Sequence, residues 1–114
     1  MTSPSPVEVL QKARALLEKG WCQGVAARTD KGTSVSPRNR HATSFCVYGS
    51  LCCAGYEENM DLHAAIDDIM FGRLEVYSFG AWNDAPGRTQ EEVLTLMDRA
   101  IDLARQKEAG GDVL

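Results

Sequence analysis

The sequence has no apolar run long enough to span a membrane, and its beginning, MTSPSPVEVL, lacks the basic segment and apolar core of a secretory signal. It also has no excess of basic residues, because 12 lysines and arginines stand against 16 aspartates and glutamates, for a net charge of -4. Binding to a phosphate backbone needs a clustered basic surface. We therefore expect a cytoplasmic protein with no membrane partner and no direct contact with nucleic acid.

The sequence also lacks a disulfide framework and a metal-binding spacing. Its four cysteines are Cys22, Cys46, Cys52 and Cys53. In a cytoplasmic protein these thiols are expected to stay reduced. Together with His41 and His63 they supply soft ligands, but the paired C-x2-C spacing of structural zinc sites is absent. We expect no metal and no cofactor.

The size and composition are those of a globular domain. The chain has 114 residues, of which 44% are hydrophobic and 25% charged. That length is sufficient for one core without disulfides or metal. We predict a mainly α fold: a single helical domain at residues 1–108, with about four helices around one core and a long loop after the first helix. Residues 109–114 are predicted to form a flexible tail.

Capping patterns mark the first and last helices. Ser5 and Glu8 form one capping box, and Thr89 and Glu92 form another. Apolar residues then recur at three- and four-residue spacing, which predicts one buried stripe on each helix. A third stripe marks a helix between them. The stripes are Val9, Leu10, Ala13, Leu16 and Leu17; Leu62, Ala65, Ile66, Ile69 and Met70; and Val93, Met97, Ala100, Ile101 and Ala104.

Two of these helices carry more detailed predictions at their ends. Gly20 is expected to end the first helix in the left-handed conformation, with Trp21 packing back onto it. The third helix is expected to begin at a cap on Asn59 or Asp61, and its Asp67-Asp68 pair is expected to face solvent.

The segments between these helices are less regular. Residues 21–43 are polar and predict a long surface loop, with a short extended piece at residues 23–28. In the stretch SFCVYGSLCCAG, the small residues favour a buried helix over a strand, capped at Thr43 or Ser44 and ended by Gly55. Residues 71–82 have no clear period, so both a helix and an extended run stay open for them. Whether residues 22–43 are ordered also stays open.

The stretch WNDAPGRTQEEV, residues 82–93, admits two interpretations. In the first, which we prefer, Pro86-Gly87 forms a type II turn and the polar side chains stabilise the start of the last helix, with Arg88 paired to Asp84. In the second, Trp82, Asn83 and Asp84 form a polar ligand site near a helix N-terminus. The basic loop from Arg38 to His41 is a further candidate ligand contact.

Cys46 is the one cysteine that suggests nucleophilic chemistry. It lies near the predicted start of a helix, where the helix dipole lowers a thiol pKa. A catalytic cysteine also needs a base, and the sequence gives no sign that His41 or His63 converges on it. The surrounding residues match no cysteine-protease signature. A small buried thiol is therefore the preferred interpretation, and no catalytic residue is assigned.

Three motifs together resemble a family of small uncharacterised bacterial and phage proteins, many of them actinobacterial. The motifs are G-W-x-Q-G, C-x-x-G-[AS]-L and W-N-D-x-x-x-R-T-x-E-[DE]-V, found within KGWCQG, FCVYGSLCCA and WNDAPGRTQEEV over roughly residues 7–105. Ser50 stands where alanine is commoner in the family. No activity is established for this family. The resemblance implies proteins that travel on phage or other mobile DNA and act on a host component.

These observations favour a non-catalytic interaction protein that binds a protein partner, as a modulator of a host or phage system; a homo-oligomer is also compatible with the sequence. The first alternative is a small-ligand binding or sequestering protein. The second is a cysteine-dependent enzyme with Cys46 as nucleophile. The candidate ligand-binding residues are Trp82, Asn83, Asp84, Arg88, Trp21, Gln23 and Cys46.

Overall fold

A computed structural model of the protein describes residues 4–110, and the fold is mainly helical as predicted. Within this range, no helix combines the length and apolar character that a bilayer crossing requires. The elements, in chain order, are α1 (Pro6–Lys19), β1 (Ala27–Arg28), β2 (Ser34–Val35), β3 (Ser44–Phe45), α2 (Val47–Ala54), α3 (Met60–Asp67), a π-helical segment (Asp68–Arg73), α4 (Phe79–Asn83) and α5 (Gln90–Glu108). The described part thus has five α-helices rather than four, because the undecided segment contains the short α4.

Helices α1 and α5 begin at the predicted capping boxes. The Ser5 hydroxyl accepts from the Glu8 amide at 3.1 Å, and the Thr89 hydroxyl accepts from the Glu92 amide at 3.2 Å. The two helices pack against each other, and the Arg14 guanidinium bonds the Asp98 carboxylate across them at 2.6 Å. The predicted α5 stripe is buried, as are Val9, Leu10, Ala13 and Leu17 of α1. Helix α5 ends in a turn at Ala109–Gly110, and the predicted tail residues 111–114 lie outside the described residues.

The predicted conformation of Gly20 is wrong. Its backbone is extended, with φ -173° and ψ 130°, and Trp21 forms a parallel bridge with Phe45 instead of a Schellman contact. The glycine is required for a different reason. A Cβ at this position would collide with the Thr43 carbonyl oxygen, so Gly20 lets two backbone segments approach closely.

The predicted loop after α1 contains a small sheet. Strand β1 lies between β2 and β3 and is antiparallel to both, with Ala27 opposite Val35 on one side and opposite Phe45 on the other. The predicted extended piece at residues 23–28 is correct only for Ala27–Arg28, since residues 23–26 form bends. Each strand has two residues, which is too short to show a period of two in the sequence.

Helix α2 is the predicted buried helix, but its cap is Cys46, because Ser44 and Phe45 belong to β3. The small residue at Gly49 lets another backbone segment approach α2, because an added Cβ would meet the carbonyl of Ala26. Gly55 ends the helix as predicted, in the left-handed conformation with φ 111°.

Asn59 caps the start of helix α3, and its side chain accepts from the Leu62 amide at 2.7 Å. Asp68 is exposed as predicted, but Asp67 is half-buried, because its carboxylate accepts from the Tyr56 hydroxyl and lies 3.1 Å from His63 Nε2. The chain then continues through the π-helical segment and an irregular stretch to α4.

Candidate functional site

Asn83 is the most highly connected buried polar residue in the described part of the chain, and it has no solvent exposure. Its Oδ1 accepts from the Trp21 indole at 2.8 Å and from the Val47 amide at 3.0 Å. Its Nδ2 donates to the Cys22 carbonyl at 3.0 Å and to the Asp84 carboxylate at 2.9 Å. A primary amide has two acceptor and two donor positions, and all four are used. Asn83 therefore positions its neighbours and has no hydrogen bond left for a ligand.

Gln23 and Asp84 extend this connection between distant parts of the sequence. Gln23 Nε2 donates to the Asn83 carbonyl at 3.0 Å and to the Ala85 carbonyl at 3.3 Å. The Gly24 amide donates to Asp84 Oδ1 at 2.9 Å. The segment after α1 is thus fixed to the end of α4, and the start of α2 is bound through Asn83. These contacts bring five of the candidate residues together: Trp21, Gln23, Cys46, Asn83 and Asp84.

Trp82 and Arg88 lie at a different place. The Arg88 guanidinium carbon lies 3.8 Å from the centre of the Trp82 ring, and its Nε donates to the Trp82 carbonyl at 2.9 Å. Both side chains line a separate hollow beside α5. The predicted pairing of Arg88 with Asp84 is wrong, since its ion pair is with Glu92 at 3.4 Å. This pair follows the four-residue spacing of a helix surface, which is the commoner geometry.

A cleft of about 520 Å³ opens beside the connected residues. The bends after α1, the start of α2, the π-helical segment and the start of α4 form its walls. Asp84 is the only acidic residue among its described lining residues, and no lysine or arginine is among them. The lining residues are Gly24, Val25, Ala26, Cys46, Tyr48, Phe71, Tyr77, Ser78, Phe79, Gly80 and Asp84.

The cleft collects aromatic side chains that are otherwise rare on this surface. Four large hydrophobic residues are exposed in the described part of the chain, and three of them line the cleft: Tyr48 at 39%, Phe71 at 38% and Tyr77 at 87%. The Phe79 ring lies between two of these, 6.3 Å from Tyr48 and 4.8 Å from Phe71. The sequence prediction did not place any of these aromatic residues at a site, and three of them, Phe71, Tyr77 and Phe79, lie in the stretch without a period.

Cys46 is buried at the edge of this cleft and caps α2 with its sulfur, which accepts from the Gly49 amide at 3.2 Å. Burial raises the pKa of the Cys46 thiol, and it outweighs the opposing effect of the backbone amides of Gly49 and Tyr48. This direction is opposite to the lowering that a helix start suggested. The thiol is therefore mostly protonated near neutral pH, which is unfavourable for a nucleophile.

We expect Cys46 to react with iodoacetamide more slowly than free cysteine at pH 8, because the raised pKa reduces the thiolate fraction and burial restricts access. The rate is measured by peptide mass spectrometry on the folded protein. The more accessible Cys53 is the internal comparison. A Cys46 rate above that of free cysteine would contradict this expectation and revive the nucleophile hypothesis.

A second group of polar side chains lies behind Tyr48. The Cys52 thiol donates to Glu57 at 3.3 Å, and burial raises its pKa to about 11. The Tyr56 ring stacks on His63 with a centroid distance of 4.3 Å. In the described residues, no group of three or more His, Cys, Asp or Glu side chains is arranged to hold a metal. The Arg38 to His41 loop does not line the cleft, and Arg38 instead donates to the Cys52 carbonyl.

A family of unknown function, DUF6197, matches residues 1–103 of the chain. This match confirms the predicted likeness to an uncharacterised family, while a distribution among actinobacteria and phages stays a prediction. No curated protein matches the chain. No solved structure matches it either.

Proposed function

Because the chain belongs to a family of unknown function, DUF6197, we propose its role from the site itself: a non-catalytic binding protein that holds a small organic cation in the aromatic cleft. The observation that carries this proposal is the convergence of exposed aromatic rings on one cleft whose described lining has one acidic residue, Asp84, and no lysine or arginine. Organic cations carry an apolar body and a positive group, and these two parts match such a lining.

The size and exposure of the cleft support a small ligand. Its volume of about 520 Å³ lies in the usual range of ligand pockets. Exposed aromatic surface is unfavourable in water, and a cluster of it commonly marks a binding site. Tyr48, Phe71 and Tyr77 supply such a cluster, and a ligand of a few rings or methyl groups would cover their rings.

Asp84 supports a positive charge on that ligand. Its Oδ1 is already bound by the Gly24 amide and the Asn83 side chain, so the orientation of the carboxylate is fixed before any ligand arrives. No protein donor within residues 4–110 bonds its Oδ2. A fixed carboxylate loses little conformational entropy on binding a cation, which increases the affinity.

The protonated state of Cys46 supports binding rather than covalent chemistry at this cleft. A protein partner, and a setting on phage or other mobile DNA, stay predictions from the sequence. The concave, charged and aromatic lining favours a small ligand as the first occupant to test.

Replacing Asp84 with asparagine is expected to weaken binding of 2-phenylethylamine by about tenfold or more, because a hydrogen bond to a charged group contributes about 1.5–3 kcal/mol. Asparagine retains an Oδ1 that accepts from Gly24 and Asn83, so the local structure is expected to persist. Binding is measured by titration calorimetry and by the amide shifts of Gly24 and Gly80 in NMR spectra.

Asp98→Asn is the matched control, since it removes the same charge at the Arg14 pair between α1 and α5. The affinity of this variant for 2-phenylethylamine should equal that of the original protein. Equal affinity for the Asp84 and Asp98 variants, or no binding to the original protein, would contradict the proposal.

A further inference from the structure

We propose that the cleft prefers a quaternary, fully methylated ammonium group over a primary ammonium group on the same skeleton. This inference rests on the proposed function, because it specifies the class of cation that the cleft accepts. Its basis is the shortage of free hydrogen-bond acceptors in the lining, together with the aromatic surface beside Asp84.

A primary ammonium group carries three N–H donors, and each of them needs an acceptor once water is displaced. Several acceptors in the lining are already in use. The carbonyls of Ala26, Ser78 and Gly80 accept from the amides of Cys46, Trp82 and Asp84, respectively. A primary ammonium group that enters this cleft would thus lose hydrogen bonds to water and find few acceptors to replace them.

The side-chain oxygens in the lining show the same shortage. Oδ1 of Asp84 accepts two hydrogen bonds, and the Ser78 hydroxyl accepts from the Ala81 amide at 3.2 Å. The Tyr48 hydroxyl donates to Glu57, which does not line the cleft, at 3.1 Å, so this hydroxyl is held towards Glu57. Asp84 Oδ2 and the exposed Tyr77 hydroxyl are the side-chain acceptors that remain, which is fewer than the three that a primary ammonium group needs.

A quaternary ammonium group has no N–H donor, so this shortage costs it nothing. Its methyl groups carry the positive charge and pack against aromatic rings, which attract cations through their negative faces. The rings of Tyr48 and Phe71 offer exposed faces, and both lie near the buried Phe79 ring, which supports them from behind. These faces and the carboxylate thus supply both interactions that a methylated cation uses.

Tyr77 provides the third side of this arrangement. Its side chain is 87% exposed at the rim of the cleft, so its ring has room to turn onto a ligand. The backbone on either side is fixed, since Val76 is buried and Ser78 caps α4. The ring is therefore free to move without a change in the fold.

The test compares three compounds with one skeleton: 2-phenylethylamine, its N,N,N-trimethyl derivative and the neutral 2-phenylethanol. We expect the trimethyl compound to bind about fivefold tighter than the primary amine, because both cations interact with the aromatic faces but only the amine has N–H donors left without acceptors. The neutral alcohol is expected to bind weakest. Dissociation constants are measured by titration calorimetry at one ionic strength.

Tyr77→Leu removes an aromatic face, and because Tyr77 is exposed the substitution should not disturb the fold. This variant is expected to lose most of the preference for the trimethyl compound. Tyr77→Phe keeps the face and should retain the preference. Tighter binding of the primary amine, or a preference unchanged in Tyr77→Leu, would overturn this inference and leave the proposed function standing. Binding of 2-phenylethanol as tight as that of both cations would instead overturn the proposed function.

Discussion

Replacing Asn83 with alanine is expected to lower the free energy of unfolding by about 2–6 kcal/mol, because it leaves two buried backbone groups without partners at about 1–3 kcal/mol each. These groups are the Val47 amide and the Cys22 carbonyl, and the Asn83 side chain is their hydrogen-bond partner. Domains of this size are stable by only about 5–15 kcal/mol, so the loss is a large fraction of the total.

The effect is expected to be large because Asn83 joins three segments that are far apart in the sequence. It bonds Trp21 and Cys22 after α1, Val47 at the start of α2, and Asp84 beside it at the end of α4. Without this side chain, the segments lose a common partner and the wall of the cleft loses its support. The variant should therefore also bind 2-phenylethylamine less tightly.

The measurement is urea denaturation, with Asn59→Ala as the control. Asn59 uses its side chain for one helix cap, the bond from the Leu62 amide, and removal of such a cap costs about 1 kcal/mol. The same amide group is removed in both variants, but only Asn83 is fully buried. An Asn83→Ala cost no greater than that of Asn59→Ala would show that the connection is not important for stability.

Asn83→Asp distinguishes hydrogen bonding from packing. The aspartate has almost the same shape and can accept from Val47 and Trp21, but its carboxylate cannot donate to the Cys22 carbonyl. It would also lie beside the carboxylate of Asp84. A cost near that of alanine at pH 7 is expected, and a harmless substitution would mean that shape alone accounts for the role of Asn83.

Four of the five α-helices in the described residues were predictable from the sequence because their signals are local, whereas the short α4 lies in the stretch without a period. A capping box needs residues three apart, as in Ser5 with Glu8, and a buried stripe needs residues three and four apart. Both patterns involve residues within one or two turns of the same helix. The cap at Asn59 and the end of α2 at Gly55 were predictable for the same reason.

The sheet and the cleft were not predictable because their contacts are between distant residues. Gly20 does cap the end of α1 as predicted, but its backbone is extended rather than left-handed, and its lack of a side chain lets the Thr43 backbone approach closely. In the same way, Asp84 was predicted to pair with the nearby Arg88, although its carboxylate accepts from the amide of Gly24, which is sixty residues earlier. Five of the seven candidate residues lie together, whereas Trp82 and Arg88 lie beside α5, and neither location could be read from the sequence.

The variants Gly49→Ala and Gly80→Ala together test the packing beside the cleft, because the same substitution is expected to lower the stability of the protein in one helix and raise it in the other. An alanine at Gly80 meets no atom within 4 Å, and it should stabilise the protein by about 0.4–1 kcal/mol by restricting the unfolded chain. An alanine at Gly49 restricts the unfolded chain equally, but its Cβ collides with the Ala26 carbonyl oxygen. This oxygen is part of the backbone and accepts from the Cys46 amide.

Relieving the Gly49 collision must move α2 away from the segment before β1, and overpacking of this kind costs about 1–3 kcal/mol. Ala26 and Cys46 both line the cleft, so the shift should also weaken binding of 2-phenylethylamine, which the stability of the variant alone would not reveal. Thermal unfolding and titration calorimetry on both variants measure the two effects. A stabilised Gly49→Ala protein would mean that α2 and the Ala26 backbone are not in close contact, and the wall of the proposed cleft would then be wrong.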